Sequence, residues 1–231
     1  MSRPQLLLLP GLLNDAELWR DQIAGLSDIA DCVVPDITQH ATLRELAQAV
    51  LAVAAPSFAL AGFSFGGYVA QAVLLAAPER VERLALLDTG IRVDNPERAE
   101  RRQALNKAAA GATGRFVGMT ERMLQSYVDP SRLGDRELID RIQTMTARLG
   151  REVFLRQNSV EREDGEAVLR AYAGPAVVIC GEHDAITPLP ACREMADIAK
   201  APLVVVEGAG HMTPMEKPQA VTAALRKWLL A

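Results

Sequence analysis

Three side chains of this chain, Ser64, Asp184 and His211, stand where they can do acyl-transfer chemistry together. The most telling string is Gly62-Phe63-Ser64-Phe65-Gly66, set directly after the apolar run 58–61 and before the small-residue run 66–77. A serine on a tight strand-to-helix turn needs glycine-sized neighbours two positions either side, because a side chain there collides with the packed strand and helix. Such a turn is a nucleophile elbow. It lifts the hydroxyl out of the sheet and aims the next backbone N–H, that of Phe65, at the place where an oxyanion forms.

A serine hydroxyl is a weak nucleophile, so an imidazole must take its proton and a carboxylate must hold that imidazole in the useful tautomer. His211 lies in Gly208-Ala209-Gly210-His211-Met212, just past the apolar run 203–206, and is the expected base. Asp184 lies in Gly181-Glu182-His183-Asp184, just past the run 176–180, and is the expected acid. Catalytic groups in open α/β sheets gather beyond the carboxyl ends of strands. The chain order Ser64, Asp184, His211 is the order that elbow folds use. His183 is the rival base, and Glu182 and Asp88 are rival acids on the same rim. Asp88 more simply braces the Thr89-Gly90 loop, and His40 reads as solvent-facing or packing. The second oxyanion donor is expected in Pro10-Gly11-Leu12-Leu13, from the Leu12 N–H or, failing that, from Leu13. The leucine side chains there read equally well as walls of an acyl pocket.

The elements that must carry these groups are visible as apolar runs at 6–9, 32–34, 58–61, 84–87, 176–180 and 203–206. They are continuous rather than alternating in polarity, as in strands covered by helices on both faces. Helical stretches at 42–54, 65–77, 190–199 and 218–230 alternate with them, the signature of an α/β fold with a mostly parallel sheet of about six strands. Residues 91–170 break the alternation with helices expected at 99–110, 119–127, 135–149 and 151–161. We read this segment as a helical cap inserted into a core made of residues 1–90 and 171–231. Its 14 Arg and one Lys face 13 acidic residues, which reads as solvated helix faces rather than an anion-binding patch. Phe116, Met119, Met123, Met145, Leu149 and Phe154 are candidates for an acyl pocket, though each reads first as cap core.

With 231 residues and 49% hydrophobic content the chain can bury a full core, and a net charge of −4 is too mild to point to nucleic acid or an anionic membrane. A small-molecule acyl substrate fits better. The short run 6–9, followed by Pro10-Gly11, is expected to be a strand rather than a leader or a membrane span. Cys32, Cys180 and Cys192 match neither a disulfide framework nor zinc spacing, so a cytoplasmic setting is expected and no metal or organic cofactor is implied.

On these residues the chain resembles the α/β-hydrolase superfamily, and within it the small cap-bearing esterases, enol-lactonases, thioesterases and carbon–carbon bond hydrolases. The strings that carry the resemblance are Gly62-Phe63-Ser64-Phe65-Gly66-Gly67, Gly181-Glu182-His183-Asp184 with Thr187-Pro188, and Gly208-Ala209-Gly210-His211 with Met215-Glu216-Lys217-Pro218. The resemblance implies the acid in the glycine–aspartate loop and the base in the glycine–histidine loop. It also implies hydrolysis of a small carboxylic ester, lactone or thioester, with carbon–carbon cleavage by the same triad or a non-catalytic binding role as alternatives. Two departures stand out. Pro10-Gly11 replaces the family's usual His-Gly, and the first strand follows the start so closely that a sheet shortened at its amino-terminal side is expected. Relatives that open epoxides or remove halogens attack with aspartate, whereas position 64 is serine.

Overall fold

The apolar runs pair into one six-stranded sheet in the order β2-β1-β3-β4-β5-β6, with every neighbouring pair parallel. The computed structural model describes residues 3–231. In chain order the strands are β1 (Gln5–Leu9), β2 (Asp31–Val33), β3 (Phe58–Phe63), β4 (Val81–Leu87), β5 (Ala176–Gly181) and β6 (Leu203–Val206). All six residues of β3 are buried, which is what an unbroken apolar run predicts for a strand covered on both faces.

The helices are α1 (Arg20–Leu26), α2 (Leu43–Val53), α3 (Phe65–Ala76), α4 (Pro96–Gly111), α5 (Glu121–Tyr127), α6 (Arg136–Ser159), α7 (Glu166–Ala171), α8 (Leu189–Ala199), α9 (Thr213–Glu216) and α10 (Pro218–Leu230). Residues of α2, α3 and α8 share one hydrophobic core with one face of the sheet. Residues of α1 and α10 share a second core with the other face. Helix α10 turns Val221, Leu225, Trp228 and Leu229 inward as the 3.6-residue spacing requires. Burying each such side chain contributes roughly 1.5–3 kcal/mol.

Between β4 and β5 run only helices. Their starts are set by local capping: Asn95 accepts the Arg98 N–H ahead of α4, and Asp135 accepts the Leu138 N–H ahead of α6. Gly150, at φ 84°, breaks α6 into two helical halves, so the expected helices at 135–149 and 151–161 join end to end at a glycine. Helix α7 leans on α3 and α8. Helix α1, with the 3-10 turn Ala16–Trp19 before it, and the short α9 have no clean periodic signal in the sequence. Among the described residues no helix is long and apolar enough to cross a membrane.

The topology matters for the site because the chain leaves β1 toward β2 on one side and returns to β3 on the other. A crevice therefore opens beyond the carboxyl ends of β1 and β3, where Leu12 and Ser64 follow their strands.

Candidate active site

Ser64 sits between β3 and α3 at φ 51°, a left-handed conformation that a non-glycine residue adopts only when its surroundings force it. Three hydrogen bonds hold it there: Ser64 N–H to Leu87 O at 2.9 Å, Gly67 N–H to Ser64 O at 3.0 Å, and the Thr89 hydroxyl to Ser64 O at 2.7 Å. The flanking glycines are sterically required. A Cβ on Gly62 would lie 2.5 Å from Gly66 O, and one on Gly66 would lie 2.5 Å from Pro10 O.

The three chemically capable side chains meet at this turn. His211 Nε2 lies 2.9 Å from Ser64 Oγ, and His211 Nδ1 lies 2.8 Å from Asp184 Oδ2. His211 is buried, its ring 5.2 Å from those of Phe63 and Tyr127, and its backbone N–H donates to Tyr127 O at 2.8 Å. Asp184 is anchored from below: Oδ1 accepts the Ile186 and Thr187 N–H groups at 2.8 and 2.9 Å, and Oδ2 accepts the Thr187 hydroxyl at 2.5 Å. Burial by itself pushes the Asp184 carboxyl upward, but His211 and the bonds from Thr187 outweigh it and hold it below the usual carboxylate range.

Two backbone donors near this turn in the chain are unpaired: among the described residues neither the Phe65 nor the Leu12 N–H has an acceptor, and Phe65 opens α3, where N–H groups are free by construction. Leu13, at φ 55°, is excluded as the alternative donor because its N–H is taken by Gln157 Oε1 at 2.9 Å.

The sequence matches the alpha/beta hydrolase family over residues 6–225. The chain belongs to that family. Among similar proteins, the dihydrolipoyllysine-residue acetyltransferase component of the acetoin cleaving system of Pseudomonas putida is 30% identical over 97% of this chain and 63% of its own length. The 2-hydroxymuconate semialdehyde hydrolase of Pseudomonas sp. strain CF600 is 33% identical over 68% of this chain and 56% of its own. This chain thus spans less than two thirds of either curated relative. A solved thermophilic esterase from Thermogutta terrifontis superposes with a TM-score of 0.84 at 29% identity, covering 100% of this chain and 90% of that one. As a member of the alpha/beta hydrolase family the chain has the six-stranded core of that fold.

In this member of the family the rival residues take other places. His183 is exposed and turns away, its Nδ1 2.6 Å from Asp129 Oδ2. Glu182 accepts the Gly208 N–H at 2.9 Å. Asp88 lies fully buried under the site, where Oδ1 accepts the Gly181 N–H at 2.8 Å and the carboxyl shares a hydrogen bond with the Thr213 hydroxyl. Asp88 therefore braces β5 and α9 rather than the Thr89-Gly90 loop. Burial, then the charge of Asp184 and the nearby Cys180, push its carboxyl well above the usual range.

Asp88, Cys180 and Asp184 bring ligand-type atoms within 4.8 Å of one another, which invites a metal reading. The donor set argues otherwise. The oxygens of both carboxyls are already engaged by N–H and O–H groups or the imidazole, and the Cys180 thiol is pushed up by its contact with Cys192 and by burial. The arrangement is a hydrogen-bonded support.

Four positioning groups have only weak signals in the sequence. Thr187 and Glu216 fall in strings that carry the family resemblance but had no role assigned. Glu216 accepts three backbone N–H groups, from Asp129 at 2.7 Å, Gly210 at 3.1 Å and Met212 at 3.0 Å, so it ties the His211 loop to the helical insertion. Burial raises its carboxyl although those three bonds oppose it. Gln157 and Asp129 belong to the insertion, whose side-chain directions no local pattern reveals.

Leu13 and the segment between β4 and β5 line an open cavity of about 760 Å³. Phe116, Met123 and Phe154 line it together with Leu13, while Met119 and Met145 are buried in the core and Leu149 is half-buried outside the lining. The Arg162 guanidinium stacks 4.6 Å from the Phe65 ring centre and 5.4 Å from that of Tyr68. Burial, then repulsion from Arg102, lowers its pKa to about 10. The Tyr127 phenol is pushed up by burial, with Arg101 working against that rise.

Proposed function

We propose that this chain is a serine hydrolase of small carboxylic esters, lactones or thioesters. Ser64 Oγ attacks the carbonyl carbon while His211 Nε2 takes its proton, and Asp184 holds the ring so that Nδ1 carries the other proton. The oxyanion is met by the N–H groups of Phe65 and Leu12. Collapse of the tetrahedral intermediate expels the alcohol or thiol, which takes the proton from His211, and leaves an acyl-serine. Water, deprotonated by His211, then releases the acid and restores Ser64.

The observation that carries this reading is the unbroken proton line of 2.9 and 2.8 Å from Ser64 through His211 to Asp184. Two unpaired N–H groups beside it support the oxyanion role. A serine-directed fluorophosphonate should label the wild-type chain at Ser64, found by mass spectrometry, and leave Ser64→Ala unlabelled. No labelling of the folded wild-type protein would overturn the reading.

The likeness to a 2-hydroxymuconate semialdehyde hydrolase favours carbon–carbon bond hydrolysis as the second reading. Comparing kcat/KM on simple acyl esters with that on diketone-type substrates decides between the two. The free thiols of Cys32, Cys180 and Cys192 support a reducing, cytoplasmic setting.

A further inference from the structure

Arg101, Arg115, Arg122 and Arg151 all line the cavity beside Leu13, and no Asp or Glu does. That segregation is not inherited from composition, because the segment 91–170 holds 14 Arg and one Lys against 13 acidic residues. Of the other ten arginines of the segment, seven lie beside carboxylates, among them Arg102 2.7 Å from Asp94, Arg132 2.7 Å from Asp135, Arg141 2.8 Å from Glu17 and Arg148 2.6 Å from Asp15, while Arg136, Arg156 and Arg162 do not. Among the described residues none of the four cavity arginines makes an ion pair.

Arg151 adds an independent sign of a missing partner. Its Nη2 donates to Gly114 O at 3.0 Å, while its buried Nε has no acceptor among the described residues. A desolvated guanidinium N–H without an acceptor is unfavourable, and the planar fork suits a carboxylate held by two parallel bonds.

Ser64 and His211 do not themselves line the cavity, but it borders their surroundings: Leu13 lines it and directly follows Leu12, and Ser126 lines it and directly precedes Tyr127, whose ring meets that of His211 edge-on at 5.2 Å. The apolar lining of the cavity includes Ala104, Leu105, Phe116 and Phe154, which suit a hydrocarbon spacer.

We infer that the cavity takes the far end of an acyl group bearing its own carboxylate, so that the preferred substrate is an anionic ester, lactone or thioester with an apolar spacer between the two ends. The inference rests on the hydrolase reading for the scissile bond but not for the anion.

The test is calorimetric titration of Ser64→Ala with monomethyl adipate, which carries a carboxylate, and with dimethyl adipate, which is neutral and otherwise alike. The anion should bind at least ~10-fold tighter, the equivalent of one decade in Kd. Arg151→Gln should abolish that preference. Arg101→Gln, at an exposed position, should weaken it without risk to folding. Equal or weaker binding of the anion, no binding of it up to about 10 mM, or equal loss for both ligands in the arginine variants would overturn the inference. Fluorophosphonate labelling of the wild-type chain separates the two ideas. Anion preference without labelling removes the hydrolase reading alone, and labelling without preference removes the carboxylate alone.

Discussion

Gln157 reaches across the crevice and accepts the backbone N–H of Leu13 at 2.9 Å, joining residues 144 positions apart. The same side chain donates from Nε2 to Ile37 O at 3.2 Å, so it is fixed at both ends. Leu13 is thereby held at φ 55°, and among the described residues the N–H of its predecessor Leu12 has no acceptor. Gln157→Leu leaves a buried N–H without an acceptor, and the expected loss of stability is about 1–3 kcal/mol. Because the loop loosens where the proposed oxyanion donor sits, kcat should fall while KM changes little. Thermal unfolding and steady-state kinetics check both parts, and an unchanged kcat in the folded variant would show that Gln157 is structural only.

Asp184→Asn keeps the shape of the acid but cannot hold the imidazole in the same tautomer. A kcat loss on the order of 10⁴ is expected, the size seen when the corresponding group of a serine-protease triad is replaced in this way. The folded Asp184 carboxyl titrates below its unfolded value of about 3.9. Its charge therefore stabilises the fold above about pH 4, and that stability is lost as pH falls through the folded value. The Tm difference between wild type and variant should accordingly shrink on acidification. A difference that grows instead would contradict the assigned direction.

Asp88 has the opposite sign. Its folded carboxyl titrates well above the unfolded value, so from about pH 4 upward the folded state binds more protons than the unfolded one. Wild-type stability must fall as pH rises toward the folded value. An asparagine at this position still accepts from Gly181 N–H and can donate to the Thr213 hydroxyl, without a charge to bury. Asp88→Asn should therefore gain in Tm over wild type as pH is raised from 4 to 9. A pH-independent offset would be evidence against a raised carboxyl.

His183 pairs with Asp129 at 2.6 Å on the rim, next to the Glu216 network that carries the His211 loop. The bond to Asp129 raises the imidazole above its ordinary value. Asp129 is held down to about 2, first by the Ser131 hydroxyl and also by His183. Stability from a raised histidine is fully present below about pH 6.5 and lost as pH rises through the folded value. His183→Ala should lower Tm at pH 5.5 and have no effect at pH 9. Equal Tm losses at both would mean that packing, not charge, is what the ring contributes.

Much of this architecture is legible before folding because its signals are local. The strand runs at 58–61 and 176–180 are unbroken apolar stretches, so they mark strands buried on both faces, and β3 and β5 form there. Gly62 and Gly66 are demanded by the turn at Ser64, whose hydroxyl the fold brings to 2.9 Å from His211. Less was visible wherever a residue acts through a partner far along the chain. Nothing in the local sequence of Gln157 points to Leu13, and the charges of the insertion read as evenly mixed.

What the sequence by itself determined is the order of strands and helices, the glycine-flanked turn and the loops in which a hydroxyl, a carboxylate and an imidazole stand. Backbone periodicity and steric need encode these within a few residues. Only the tertiary structure decided which of the two candidate leucine N–H groups is free, which side chains of residues 91–170 turn inward, and that four arginines without carboxylate partners share one cavity. Those outcomes depend on how α4, α5 and α6 rotate about their axes when they pack, and that rotation is set by contacts between residues a hundred or more positions apart, as between Leu13 and Gln157.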